Sequence, residues 1–158
     1  MRNTASLDPG LHHRLVDGLY CEAMVMADEA RAYFDGAGRD EQLSDPLRRV
    51  VFACESLKVT TRLMHIIAWL LGQRAWQRGE VQDADLLDDK YRLGAATTTE
   101  PAQVDDFPFA ARALVEGSQD LYDRVSRLQE RMDGMRTANA LVDPGPARAL
   151  LDRLNTAF

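Results

Sequence analysis

The chain has 158 residues, 46% of them apolar, with 25 acidic and 19 basic side chains and a formal net charge of -6. A domain of this size can bury a real core, and the acidic balance works against nonspecific attraction to nucleic acid or an anionic bilayer. The densest apolar run, Leu63 to Leu71, contains His65 and is followed by Gln73 and Arg74, so it falls short of the roughly 20 residues a membrane span needs.

The opening "MRNTASLDPG" has no apolar h-region and no small-residue cleavage site, the pattern of a cytoplasmic protein. Asp8 and Pro9 then announce a first helix as N-cap and first helical residue. Val16, Tyr20, Ala23, Ala27, Ala30 and Phe34 recur at steps of three and four, which predicts a helix buried along one face and ended by Gly36. His12 and His13 are adjacent. On a helix they point about 100 degrees apart, so they read as a solvated helix start and not as a metal pair.

A second helix is predicted from near Ser44, with Asp45 and Pro46 in its first turn, to Gly79. At 1.5 Å per residue it is about 50 Å long. One stripe, Leu47, Val50, Cys54, Leu57, Thr61, Met64, Ala68, Leu71 and Ala75, reads as bundle or coiled-coil packing. The opposed stripe, Phe52, Glu55, Val59, Arg62, Ile66, Trp69, Gln73 and Trp76, is also largely apolar but holds an acid and a base. A helix with two opposed apolar faces lies at the centre of a bundle or between two copies of a protein. The polar residues make the second stripe the expected dimer or partner interface. If two copies met antiparallel near Lys58 and Val59, Glu55 of one would face Arg62 of the other and set the register. The alternative is that both side chains reach solvent along their own stems. Thr60 and Thr61 can satisfy their hydroxyls on the carbonyl one turn back.

After Gly79, "QDADLLDDKYRL" predicts two turns of helix around Leu86, Leu87 and Tyr91, and "GAATTTEPAQ" a loop. The next helix is expected from Asp105 or Asp106 to Met135, with Ala110, Leu114, Gly117, Leu121, Val125, Leu128, Met132 and Met135 on one face. Gly117 in its interior points to a close helix crossing. The tail "DPGPARALLDRLNTAF" predicts a short amphipathic helix with Ala147, Leu150, Leu151, Leu154 and Phe158 on a narrow apolar face. The expected architecture is therefore all-α, a single domain over residues 1–158. It is an antiparallel three-helix bundle of long helices with its core at about 8–136, a short helix after the second long one, and a linker with a short C-terminal amphipathic helix at 137–158.

No catalytic constellation emerges. The chain has no G-x-S-x-G, no glycine-rich phosphate loop, no H-E-x-x-H and no E-x-x-H. Cys21 and Cys54 read as small buried thiols, and His65 as a plain histidine at the boundary between the two stripes of the second helix. Asp88–Asp89 and Asp105–Asp106 complement helix ends. Arg124, Arg127, Arg131 and Arg136 alternate with Glu116, Asp120, Asp123, Glu130 and Asp133, a salt-bridged solvent face and not a phosphate track. The residues thus predict a non-enzyme without cofactor or metal, binding neither nucleic acid nor membrane and working through protein contacts. A metal or small-ligand bundle stands as the remaining alternative.

The run Glu55-Ser56, Thr60-Thr61-Arg62-Leu63-Met64, Trp69-Leu70-Leu71, Gln73-Arg74-Ala75 and Gly79-Glu80 resembles the alphaproteobacterial regulator-of-CtrA-degradation (RcdA-like) family. "EAMVMADEARAYFDG" in the first helix is similar too, so the resemblance covers roughly residues 14 to 95, more loosely the third long helix. It implies a small three-helix bundle that forms a homodimer and has no enzymatic activity. It further implies an adaptor in cell-cycle-controlled proteolysis that helps the ClpXP protease, through ClpX, engage a response-regulator substrate such as CtrA or a co-adaptor, with recruitment to a cell pole. The alternative is a helical interaction scaffold unrelated to proteolysis.

Overall fold

Asp8 accepts a hydrogen bond from the Gly10 amide (3.3 Å) and Pro9 occupies the first turn, so α1 begins where its cap and its missing amide donor allow, and runs over Pro9–Asp35. The same device starts α2, Pro46–Gln77: Asp45 accepts from the Leu47 amide at 3.0 Å. Gly79, at φ +75°, ends it. Its amide bonds the Trp76 carbonyl and the Glu80 amide bonds the Ala75 carbonyl, which satisfies two carbonyls of the last turn. The third helix, α3, covers Phe109–Leu141. These come from a computed structural model that describes residues 8–36, 38, 45–141, 150, 153 and 154. Among those residues there is no strand, as the helical periodicities require.

The chain divides into two compact units, Met1–Ser126 and Arg127–Phe158. In the first, α1 and α2 run antiparallel. His13 Nδ1 lies 2.9 Å from Gln77 Oε1 at one end, and the Phe34 and Phe52 rings meet at 5.3 Å at the other. Between them Val16, Leu19, Ala23 and Ala30 of α1 and Val59, Leu63, Ile66 and Leu70 of α2 are buried. Their burial is part of the apolar area that offsets chain entropy.

The connection from α2 to α3 is not a short turn. It travels back along α2 as a strap. Trp76 donates to Asp83 at 2.5 Å, the Tyr91 ring lies over Gly72, Gly94 lies against the His65 ring, and Thr97 and Thr99 reach Arg62. Phe107 then packs its ring, tilted by 52°, against Phe52 at 5.8 Å, and Asp106 pairs with Arg48 at 3.2 Å. The strap therefore delivers the chain to the opposite end of the bundle. In consequence α3 runs parallel to α2 and antiparallel to α1. Gly117 faces Met26, where a Cβ would stand 3.2 Å from the methionine Cε, and Arg124 bridges to Glu22. The close crossing expected at Gly117 is there.

Three local expectations change. The "QDADLLDDKYRL" segment forms two 3-10 turns, Asp85–Leu87 and Asp89–Tyr91, each too short to bury more than Leu86. His12 is buried, its ring edge-on to Trp76 at 5.8 Å, because one turn into α1 it already faces the end of α2. Cys21 and Cys54 are exposed, both lying on outward faces of their helices. In the second unit α3 continues to Leu141, past Met135, and the expected C-terminal helix lies outside the described residues except for Leu150, Arg153 and Leu154, which are helical.

Candidate functional site

The α2 face expected to meet a partner is covered by its own chain. Phe52, Glu55, Val59, Arg62, Ile66, Trp69 and Gln73 are all buried and Trp76 is half-buried beneath His12. Glu55 and Arg62, the two residues that singled the face out, are 1% and 0% exposed. Neither reaches solvent and neither waits for a second copy. The Arg62 guanidinium donates to the Thr97 carbonyl (2.8 Å), the Thr99 hydroxyl (2.6 Å) and the Ser118 hydroxyl (3.2 Å). Thr99 in turn donates to Glu55 Oε2 at 2.6 Å, while Lys58 holds Oε1 at 2.7 Å. The Ser118 hydroxyl itself donates a hydrogen bond to the Val115 carbonyl.

The network solves a burial problem. A charged pair taken out of water is costly unless its remaining donors and lone pairs are filled, and here the strap supplies the filling groups. Burial pushes the Arg62 guanidinium below its ordinary value, while Glu55 and Asp123 act to raise it. What the network can do is mechanical: one hydroxyl, Thr99, ties strap to helix between an acid and a base. It offers no open position for a substrate.

Periodicity alone marked Glu55 and Arg62 as unusual but not Thr97, Thr99 or Ser118. The threonines sit in a segment whose only signal was its turn-like composition. Other candidate chemistry does not assemble. Among the described residues no three His, Cys, Asp or Glu side chains converge as metal ligands, and no helix is long and apolar enough to cross a membrane. Arg124 of the expected salt-bridged face pairs with Asp120 at 3.0 Å as well as with Glu22, and the Glu22 contact raises its pKa. An arginine so engaged is not a free phosphate contact.

The opposite stripe of α2 is the open one. Leu47, Val50, Leu57, Met64 and Leu71 are 70%, 59%, 66%, 61% and 45% exposed, and Cys54, Thr61 and Ala68 between them are exposed as well. From Val50 to Leu71 this strip carries no charged side chain, since Glu55, Lys58 and Arg62 all lie toward the other side of the helix. Scattered exposed leucines are ordinary, but a contiguous uncharged strip marks a contact surface. The face that carries Glu55 and Arg62 is thus the buried one, and the face expected to pack in the bundle is the exposed one.

With this geometry in view, the chain can be set beside known proteins. Residues 7–158 match the model of a family described as a protein of unknown function, DUF1465. The crystal structure of RcdA from Caulobacter crescentus CB15 is similar with a TM-score of 0.62 and 35% sequence identity, over 75% of this chain and 91% of RcdA. No curated protein matches.

Proposed function

Because the chain belongs to the DUF1465 family and is RcdA-like, we propose that it is a non-enzymatic, dimeric adaptor acting in CtrA regulation. In this reading it helps the ClpXP protease engage a response-regulator substrate such as CtrA, or a co-adaptor, in the cytoplasm, with recruitment to a cell pole. The observation that carries the reading is the likeness to RcdA, which extends over nearly the whole of that protein. The exposed, uncharged strip on α2 supports it, because a contiguous apolar surface of this kind is suited to protein contacts.

The test is affinity capture of the tagged chain from its native cells, compared with a Leu57→Asp/Met64→Asp variant. Both positions are exposed, so the variant keeps the bundle's core. Recovery of ClpX or a response regulator by the wild type supports the adaptor reading, and its loss in the variant ties the activity to α2. If other proteins reproducibly co-purify without the proteolysis machinery, the chain is a helical scaffold with a different assignment. Reconstituted ClpXP gives a direct second readout: the purified chain is expected to accelerate degradation of its substrate, and an unchanged rate with every response regulator tried overturns the proposal.

A further inference from the structure

We propose that residues 95–100 of the strap form a lid that opens and closes on its own, while its two flanks and the helices beneath it stay in place, and that opening admits water to the buried Glu55–Arg62 pair. The flanks are fixed. On one side Leu86 is buried, the Tyr91 ring lies over Gly72, and the Tyr122 hydroxyl donates to the Gly94 carbonyl at 2.7 Å. On the other, the 3-10 turn Pro101–Gln103 leads into Val104 and Phe107, which are 2% and 6% exposed. Between these anchors no side chain is buried and no apolar one is larger than alanine: Ala95, Thr97, Thr98 and Glu100 are exposed, Ala96 and Thr99 half-buried. Among the described residues no amide or carbonyl from 95 to 99 bonds another backbone group. What holds the lid shut is a short set of side-chain bonds, from Arg62 to the Thr97 carbonyl (2.8 Å) and the Thr99 hydroxyl (2.6 Å), and from Thr99 to Glu55 (2.6 Å). A segment with so little buried apolar area and so few hydrogen bonds belongs to the low-stability end of a protein's local openings.

The closed lid also bears a cost that an apolar contact would not. It keeps a carboxylate and a guanidinium at 1% and 0% exposure, and taking charges out of water is unfavourable unless their bonds are complete. Opening breaks the three bonds to the lid but rehydrates both charges. Two contacts survive it, because neither belongs to the lid: Lys58 stays on Glu55 at 2.7 Å and Ser118 on Arg62 at 3.2 Å. The gain in hydration therefore offsets part of the loss in bonding, and no core side chain has to leave its place. The charged pair acts as a catch, engaged when the lid is closed and solvated when it is open.

The experiment is thiol labelling under native conditions, in full-length chain carrying Cys21→Ala and Cys54→Ala so that the two exposed native thiols do not react. Thr99→Cys puts the reporter on the inner side of the lid. Val16→Cys, at a position 0% exposed, reports unfolding of the bundle. Well below the urea midpoint Thr99→Cys is expected to label at least about 100-fold faster than Val16→Cys, at a rate that hardly changes with urea, because a local opening exposes little surface. It should still label at least about tenfold more slowly than a cysteine in the unfolded chain. Equal rates for the two reporters, with the same urea dependence, overturn the proposal, since the lid then opens only when the bundle unfolds. A rate equal to that of the unfolded chain overturns it as well, because there is then no closed state to open from. Thr99→Cys alters the catch, so Arg62 itself serves as a second reporter in the unsubstituted chain. Its modification by phenylglyoxal, located by peptide mass mapping, is expected at urea concentrations where Val16→Cys stays unreacted. Protection of Arg62 up to the global transition overturns the proposal however the thiol behaves.

Discussion

Arg62 keeps its charge in a place water does not reach, and it does so because three parts of the chain give it acceptors: the strap at Thr97 and Thr99, α3 at Ser118, and α2 itself through Thr99 to Glu55. Replacing the guanidinium by a methionine of similar length leaves the Thr97 carbonyl without its donor and leaves Glu55 its contact with Lys58 but not the nearby guanidinium charge. Arg62→Met is expected to cost about 3 kcal/mol, the magnitude for breaking a buried pair on one side, read as a lower urea midpoint. Thr99→Val should cost about 1–2 kcal/mol alone. In the double variant the cost should fall short of the sum, because both substitutions remove the same hydrogen bond; strictly additive losses would show that Thr99 and Arg62 do not act together. How legible these residues were follows from the same geometry. An acid and a base seven positions apart on an apolar helix are visible in sequence. Their partners, 35 and 56 residues further on, share no spacing with them and became visible only in three dimensions.

At the scale of elements, the long helices were readable because their caps and their three-and-four spacing are local. Asp8-Pro9, Asp45-Pro46 and Gly79 ended up where capping chemistry puts them. Which face of α2 turns inward was not local. Both stripes were apolar enough to bury, and the choice depended on a strap without periodicity crossing one of them. Two glycines separate the strap's needs from the helix's. At Gly79 an added Cβ meets nothing within 4 Å, so Gly79→Ala incurs only the cost of a left-handed backbone, about 1 kcal/mol. At Gly94 the Cβ would stand 2.7 Å from the His65 ring, so Gly94→Ala must displace the strap. The second variant is expected to show faster amide exchange at Thr97–Thr99, the first to leave that region unchanged. Next to the cap, Arg78 holds the Glu80 carboxyl below the ordinary carboxylate range by a hydrogen bond of 2.7 Å. A carboxylate whose folded pKa is depressed stabilises the fold above its unfolded value, and that contribution fades as pH falls through the folded one. Glu80→Gln should therefore be slightly less stable than the wild type at neutral pH and indistinguishable from it in acid, in paired melting curves. The pair is exposed, so the difference is small.

For the whole molecule, the distribution of charge divides the surface in two. The net charge of -6 keeps most of it hydrated and mutually repulsive, while the α2 strip between Val50 and Leu71 contributes none of that repulsion. Were copies to assemble through the strip, only folded chains would take part, since the unfolded chain has no such face, and anything that binds the folded state alone raises its apparent stability with concentration. In that case the thermal midpoint of the wild type climbs with protein concentration. Leu57→Asp places a charge at a position that is 66% exposed in the single chain. It should leave the dilute-limit midpoint within about 0.5 kcal/mol of the wild type, as surface substitutions do, while abolishing the climb. A midpoint that falls equally at every concentration would mean that Leu57 stabilises its own bundle and that the strip is not where copies meet. Buried-face substitutions such as Ile66→Ala behave in the opposite sense: they lower the midpoint by about 2–5 kcal/mol at all dilutions, because Ile66 is fully enclosed by its own chain. The pair of variants thus separates the face whose side chains hold the fold together from the face that the fold leaves open.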